Sequence, residues 1–79
     1  MSADITLDMA VARQALTITG LTGSQSEKTR FLQMGFTPGT AVQIVRRAPM
    51  SDPVEIKVRG THMMLRLVEC QNIKVAFAE

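Results

Sequence analysis

The chain has 79 residues, a formal net charge of +2, and 46% hydrophobic and 20% charged residues. This is one small domain of globular composition, which excludes a multidomain architecture and a disordered chain. The mild positive charge does not by itself call for nucleic acid, which usually leaves a dense Lys/Arg cluster.

A single cysteine, Cys70, excludes an intramolecular disulfide and any multi-cysteine metal site within one chain, and fits a reducing compartment. There is no tryptophan or tyrosine, and only three phenylalanines stand beside six methionines, so the core has to be aliphatic. No charged-then-apolar leader and no apolar run of membrane-spanning length is found, so the expectation is a cytoplasmic protein.

Residues 1–12 read as a lead-in, with Leu7 to Ala12 forming a helical turn or an extended tether that pins the terminus to the core. Leu16-Thr17-Ile18-Thr19 alternates and is rich in β-branched residues, which predicts a first strand to Leu21, with Gly20 and Gly23 marking its end. Ser24-Gln25-Ser26-Glu27 fits a capping box, so a helix is predicted to run to about Met34. Phe31 with Met34 and Leu32 with Phe36 give its apolar rows, while Lys28, Arg30 and Gln33 face water.

Gly35 sits where a left-handed helix stop is wanted, and Pro38-Gly39 suits the centre of a type II turn. Thr40 to Ala48 is the next strand, with Val42 and Ile44 inward, Gln43 outward and Arg46-Arg47 at its end. A proline-bracketed turn, Ala48 to Pro53, leads into Val54 to Arg59, which alternates without a fault. Gly60 breaks that run. Thr61 to Arg66 returns as a strand, with His62, Met64 and Arg66 on one face and Thr61, Met63 and Leu65 on the other. Leu67 to Asn72 makes one helical turn, and Ile73 to Phe77 is the last strand.

The tally predicts a mainly β fold: a small, partly closed antiparallel barrel of about five strands with one α-helix after the first, the barrel filling residues 14–77 of a single domain 1–79.

An ordered series of short pieces carries a family resemblance. Leu32-x-Met34-Gly35-Phe36-x-Pro38-Gly39-Thr40, Val45-Arg46-Arg47-Ala48-Pro49, Asp52-Pro53-Val54-Glu55-Ile56, Val58-Arg59-Gly60 and Leu65-Arg66 resemble the FeoA family (ferrous iron transport protein A). The same domain resembles the C-terminal domain of DtxR-type metal-dependent repressors. The resemblance implies an SH3-like barrel. It also implies a cytoplasmic accessory docking on FeoB, the membrane ferrous iron transporter with a GTPase domain, and perturbing its GTPase or assembly. Ferrous iron enters only through this resemblance, and the motif supplies no catalytic residue. The sequence departs from the family at Met50-Ser51, at Cys70 and in the methionine-rich His62-Met63-Met64.

Each chemical reading has a plainer competitor. Gly20-Leu21-Thr22-Gly23 lacks the Lys-Ser or Lys-Thr of a phosphate loop and reads as turn chemistry. His62 is the one weak metal candidate, with Asp52, Glu55, Glu69 and Cys70 as companions at no ligand-like spacing; the plain reading is a solvated strand histidine. Cys70 reads as a structural thiol, lacking a flanking cation. No nucleophile–base order or paired carboxylates point to an enzyme.

Arg46, Arg47, Lys57, Arg59, Arg66 and Lys74 are expected to share a barrel face, but without Tyr or Trp platforms nucleic acid is not the expected partner. Met34, Met50, Met63 and Met64 exceed what so small a core holds. Met34, Met63 and Met64, with Arg46 and Arg47, are therefore the candidate partner-binding or self-association residues. The alternative readings are a regulatory SH3-like domain binding peptide or a transition metal ion, and a small nucleic-acid-binding barrel.

Overall fold

In a computed structural model of the chain, which describes residues 4–50 and 52–78, six strands form one antiparallel sheet. In chain order the elements are β1 (Ile5–Thr6), a 3-10 turn (Leu7–Met9), β2 (Leu16–Leu21), α1 (Gln25–Gln33), β3 (Ala41–Arg47), β4 (Val54–Val58), β5 (Thr61–Leu65), α2 (Leu67–Cys70) and β6 (Ile73–Phe77). The spatial order is β1-β6-β2-β3-β4-β5. Six strands replace the expected five because the lead-in is itself paired: Ile5 lies opposite Val75 and Thr6 opposite Lys74. The two edges, β1 and β5, share no ladder. Their continuations, the 3-10 turn and α2, pack together and close the wall instead.

Alternation sets what faces the interior. Val54, Ile56 and Val58 on β4, Val42 and Ile44 on β3, and Ile73 and Val75 on β6 are buried. Leu7 and Ala10 join this core from the lead-in, and Met34 and Met63 pack against its rim.

Two bulges interrupt the regular register. One falls between Ile18 and Gly20 against β6, so Gly20 lies within β2 and does not end it. The other falls between Ile44 and Arg46 against β4, so Arg46 lies opposite Glu55 and Arg47 opposite Val54.

The helix starts and stops by the local chemistry of its ends. Ser24 Oγ accepts from the Glu27 amide at 3.2 Å, and Glu27 Oε1 accepts from the Ser24 amide at 2.9 Å. That second bond also holds the Glu27 carboxyl below its ordinary pKa. The helix ends at Gln33, one residue before the expected Met34, which is its cap. Gly35 then takes φ +103°. Its amide bonds to the Leu32 carbonyl at 3.1 Å, and the Phe36 amide bonds to the Phe31 carbonyl at 3.0 Å. This is the Schellman pattern, and the apolar contact that accompanies it is an edge-to-face pair of Phe31 and Phe36 with centroids 6.1 Å apart. Both rings are buried, whereas Leu32 is 43% exposed, so the Leu32–Phe36 row does not form. Lys28 is half-buried, not in open water.

The next turn closes by a Thr40 amide to Thr37 carbonyl bond at 3.1 Å, with Gly39 at φ +91°.

The strand after Gly60 stops at Leu65. Arg66 is the residue before α2, and its amide donates to Glu69 Oε1 at 2.9 Å. Asp52 Oδ1 accepts from the Leu67 amide at 3.0 Å, and the second Glu69 oxygen pairs with Arg30 of α1.

Candidate functional site

The β4–β5 connection is a two-residue hairpin whose central residues, Arg59 and Gly60, both have positive φ, the conformation of the turns that suit strand twist. It fixes the register: Lys57 opposite His62, Ile56 opposite Met63, Glu55 opposite Met64. Together with the β3 bulge, this gathers Arg46, Glu55, His62 and Met64 on one outer face. Arg46 Nε donates to Glu55 Oε1 at 2.7 Å, and His62 Nδ1 lies 2.8 Å from Glu55 Oε2. These hydrogen bonds, the His62 contact foremost, hold the Glu55 carboxyl below its ordinary pKa. An ionised carboxylate only accepts, so the proton on this contact belongs to Nδ1.

A depressed carboxyl contributes stability above its ordinary range and loses it as pH falls through the lowered value. We expect His62→Ala to raise the Glu55 titration midpoint toward that of a free glutamate, read from the side-chain carboxyl carbon by NMR; an unchanged midpoint would remove the His62 contact as its main cause.

His62 therefore sits exposed on its strand, with a carboxylate partner at Nδ1. As a metal ligand it lacks company: no group of three or more His, Cys, Asp or Glu converges among the described residues.

Arg47 lies on the opposite face from Arg46. Its Nη2 donates to the carbonyls of Asp8 and Ala10, each at 2.8 Å, and so braces the 3-10 turn from inside. Cys70 lies beneath the same turn. Burial first, then the nearby Asp8 charge, push its thiol up to about 12, with Arg47 opposing, which keeps it protonated and unreactive near neutrality.

A second feature lies at the β2–β3 seam. These strands pair through Leu16–Val42 and Thr17–Ala41, and Ile18 bonds on to Gly39 and Thr40 just before β3, but the ladder stops at Leu16 on the other side. The chain at Arg13 is held beside β3 by its amide on the Ile44 carbonyl and by the Gln43 side-chain amide on its own carbonyl, both at 2.7 Å. Ala15, Ala41, Gly60 and Ala78 are too small to fill the space between, and a cleft of about 350 Å³ remains. Leu16, Val42 and Gln43 complete its walls, and Lys57 and Arg59 are its charged residues, with no carboxylate in the lining. The arrangement suits an apolar or main-chain group carrying negative charge at its edge.

A family model of the FeoA domain matches residues 5–76. The chain belongs to the FeoA domain family. It is similar to a FeoA-like protein from Clostridium acetobutylicum, with 26% identity and a TM-score of 0.89 over 100% of this chain and 92% of that one. It also shares its fold with FeoA of Stenotrophomonas maltophilia, a zinc complex described as a procaryotic SH3 domain protein, at 21% identity and a TM-score of 0.78 over 90% and 88% of the two chains. A manganese-dependent transcriptional repressor has the same fold at 11% identity and a TM-score of 0.86. This FeoA domain is 99% covered there but spans only 44% of the repressor. The fold is therefore SH3-like, as the sequence motifs imply, and the repressor resemblance lies in the fold.

In this FeoA domain Met34, Met63, Met64, Arg46 and Arg47 do not form one patch. Arg46 and Met64 share the outer face with His62. Met34 and Met63 are half-buried against the core, and Arg47 is spent on the main chain of the lead-in. The six basic residues likewise do not share a face: Arg46 and Arg47 point to opposite sides of β3, and Arg59 folds over the α1–β3 turn to donate to Thr37 Oγ1 at 2.9 Å. The cleft was missed because its small residues come from distant positions. The Glu55–His62 contact had a signal: a two-residue hairpin at Arg59-Gly60 already sets those residues diagonally opposite.

Proposed function

We propose that this FeoA domain is a non-enzymatic accessory of ferrous iron transport that docks on the cytoplasmic GTPase side of a FeoB-type transporter, changing its GTPase or assembly. Family membership supports the transport role. The observation that carries docking is the cleft at the β2–β3 seam, an open, small-residue trough with a cationic edge and no carboxylate in its lining. It fits an extended segment of the transporter bearing Asp or Glu beside small apolar residues. The non-enzymatic reading is supported by two described residues: the outer His62 is paired to a carboxylate, and the thiol of Cys70 is buried. The domain is read as working on the cytoplasmic side; no helix among the described residues is long and apolar enough to cross a membrane.

The test is titration of the transporter's cytoplasmic domain into the labelled protein. Chemical-shift changes are expected at Ala15, Ala41, Gln43 and Lys57, and Ala41→Arg, which fills the cleft from an exposed position, is expected to weaken binding at least about tenfold. Binding that ignores Ala41→Arg, or shifts confined to another face, would refute this docking site.

A further inference from the structure

We propose that two copies of this chain pair edge to edge through β5, forming a symmetric antiparallel dimer about Met63. In a two-residue hairpin the residues flanking the turn exchange hydrogen bonds, and the bonding then alternates along the strand. Thr61, Met63 and Leu65 therefore direct their main-chain groups to β4, and those of His62 and Met64 point away from the sheet. Among the described residues no hydrogen bond from another segment reaches those outward groups. β5 ends the sheet, and it has none of the usual protections: no proline, no lysine, no bulge. The other edge, β1, is only two residues long.

The strand is complementary to itself, which is what selects a second copy as the occupant. With Met63 on the two-fold axis, His62 meets Met64 of the second copy, and Met64 meets His62 of the second copy. Both are the bonded kind of pair, so the outward N–H and C=O groups are satisfied reciprocally.

The side chains agree on both faces. On the outer face one row runs Lys57, His62, then Met64 and Glu55 of the second copy, so opposite charges end the row and no like charges meet. On the inner face Met63 meets its own copy between the two Ile56 side chains, and Leu65 meets Thr61. Met64, 57% exposed in the single chain, becomes covered.

The measurement is amide hydrogen exchange by NMR on the full chain from micromolar to millimolar concentration, alongside sedimentation equilibrium. Exchange at His62 and Met64 is expected to slow with concentration as the mass doubles, while Thr61, Met63 and Leu65 are already protected throughout. Met64→Lys places a cation on the edge and is expected to weaken association at least about tenfold. Met50→Lys, at an exposed methionine outside β5, leaves it unchanged. A monomer at millimolar concentration, a dimer indifferent to Met64→Lys, or concentration-dependent protection confined to other residues would overturn the proposal. None of these readouts involves the transporter, so they fail or succeed separately from the docking site.

Discussion

Phe36→Ala is expected to remove about 3–5 kcal/mol, the usual cost of emptying a phenylalanine site in a core that relaxes only in part. Phe36 is fully buried, and its ring is the contact that secures the end of α1 against Phe31. A domain of this size has a total stability of only about 5–15 kcal/mol, so the variant should be largely unfolded at physiological temperature or melt far below the parent. Leu32→Ala, four residues earlier in sequence but partly exposed, should cost less than about 1 kcal/mol. Urea denaturation of the two variants side by side checks both numbers. Equal losses would mean that the helix end is held by its hydrogen bonds alone and that the ring pair adds nothing.

Arg47→Ala is expected to cost about 2–3 kcal/mol, since hydrogen bonds to a charged group contribute more than neutral ones and two partly buried carbonyls lose their partner together. The loss should be local before it is global. Residues around Leu7 and Ala10 should exchange their amides faster, while β3–β4–β5 keeps its protection. Arg47→Lys should recover only part of the stability, because its ammonium stops short of the position that Nη2 occupies between Asp8 and Ala10. Arg46→Ala is the natural control. Its partner Glu55 is held on the outer face and Arg46 itself is exposed, so solvent screens the pair and its loss should cost much less than that of Arg47.

These two arginines also show what the sequence could and could not reveal. Strict alternation from Val42 and Ile44 would place Arg46 inward and Arg47 outward. The bulge after Ile44 adds one residue and inverts both. No local pattern marks that bulge. By contrast, the Ser24–Glu27 box, the Gly35 stop and the inward face of β4 were legible because each depends on neighbours within a few positions. β1 was not, since a two-residue strand exists only through β6, some seventy residues away. The same distinction separates the two candidate surfaces. The outer face around Glu55 follows from a hairpin and could have been drawn from it. The cleft is an absence of side-chain volume at Ala15, Ala41, Gly60 and Ala78, and only the assembled fold shows it.

β6 lies between β1 and β2 and contributes Ile73 and Val75 to the centre of the core. During synthesis this gives the chain a fixed order of events. The β3–β4–β5 meander is contiguous and can assemble as it emerges, but β1 and β2 have no shared neighbour until Ile73 to Phe77 has cleared the ribosome. Until then the lead-in and the β6-facing edge of β2 lack their partner, which makes the interval before Ile73 to Phe77 arrives the period when the nascent chain most needs protection from its neighbours.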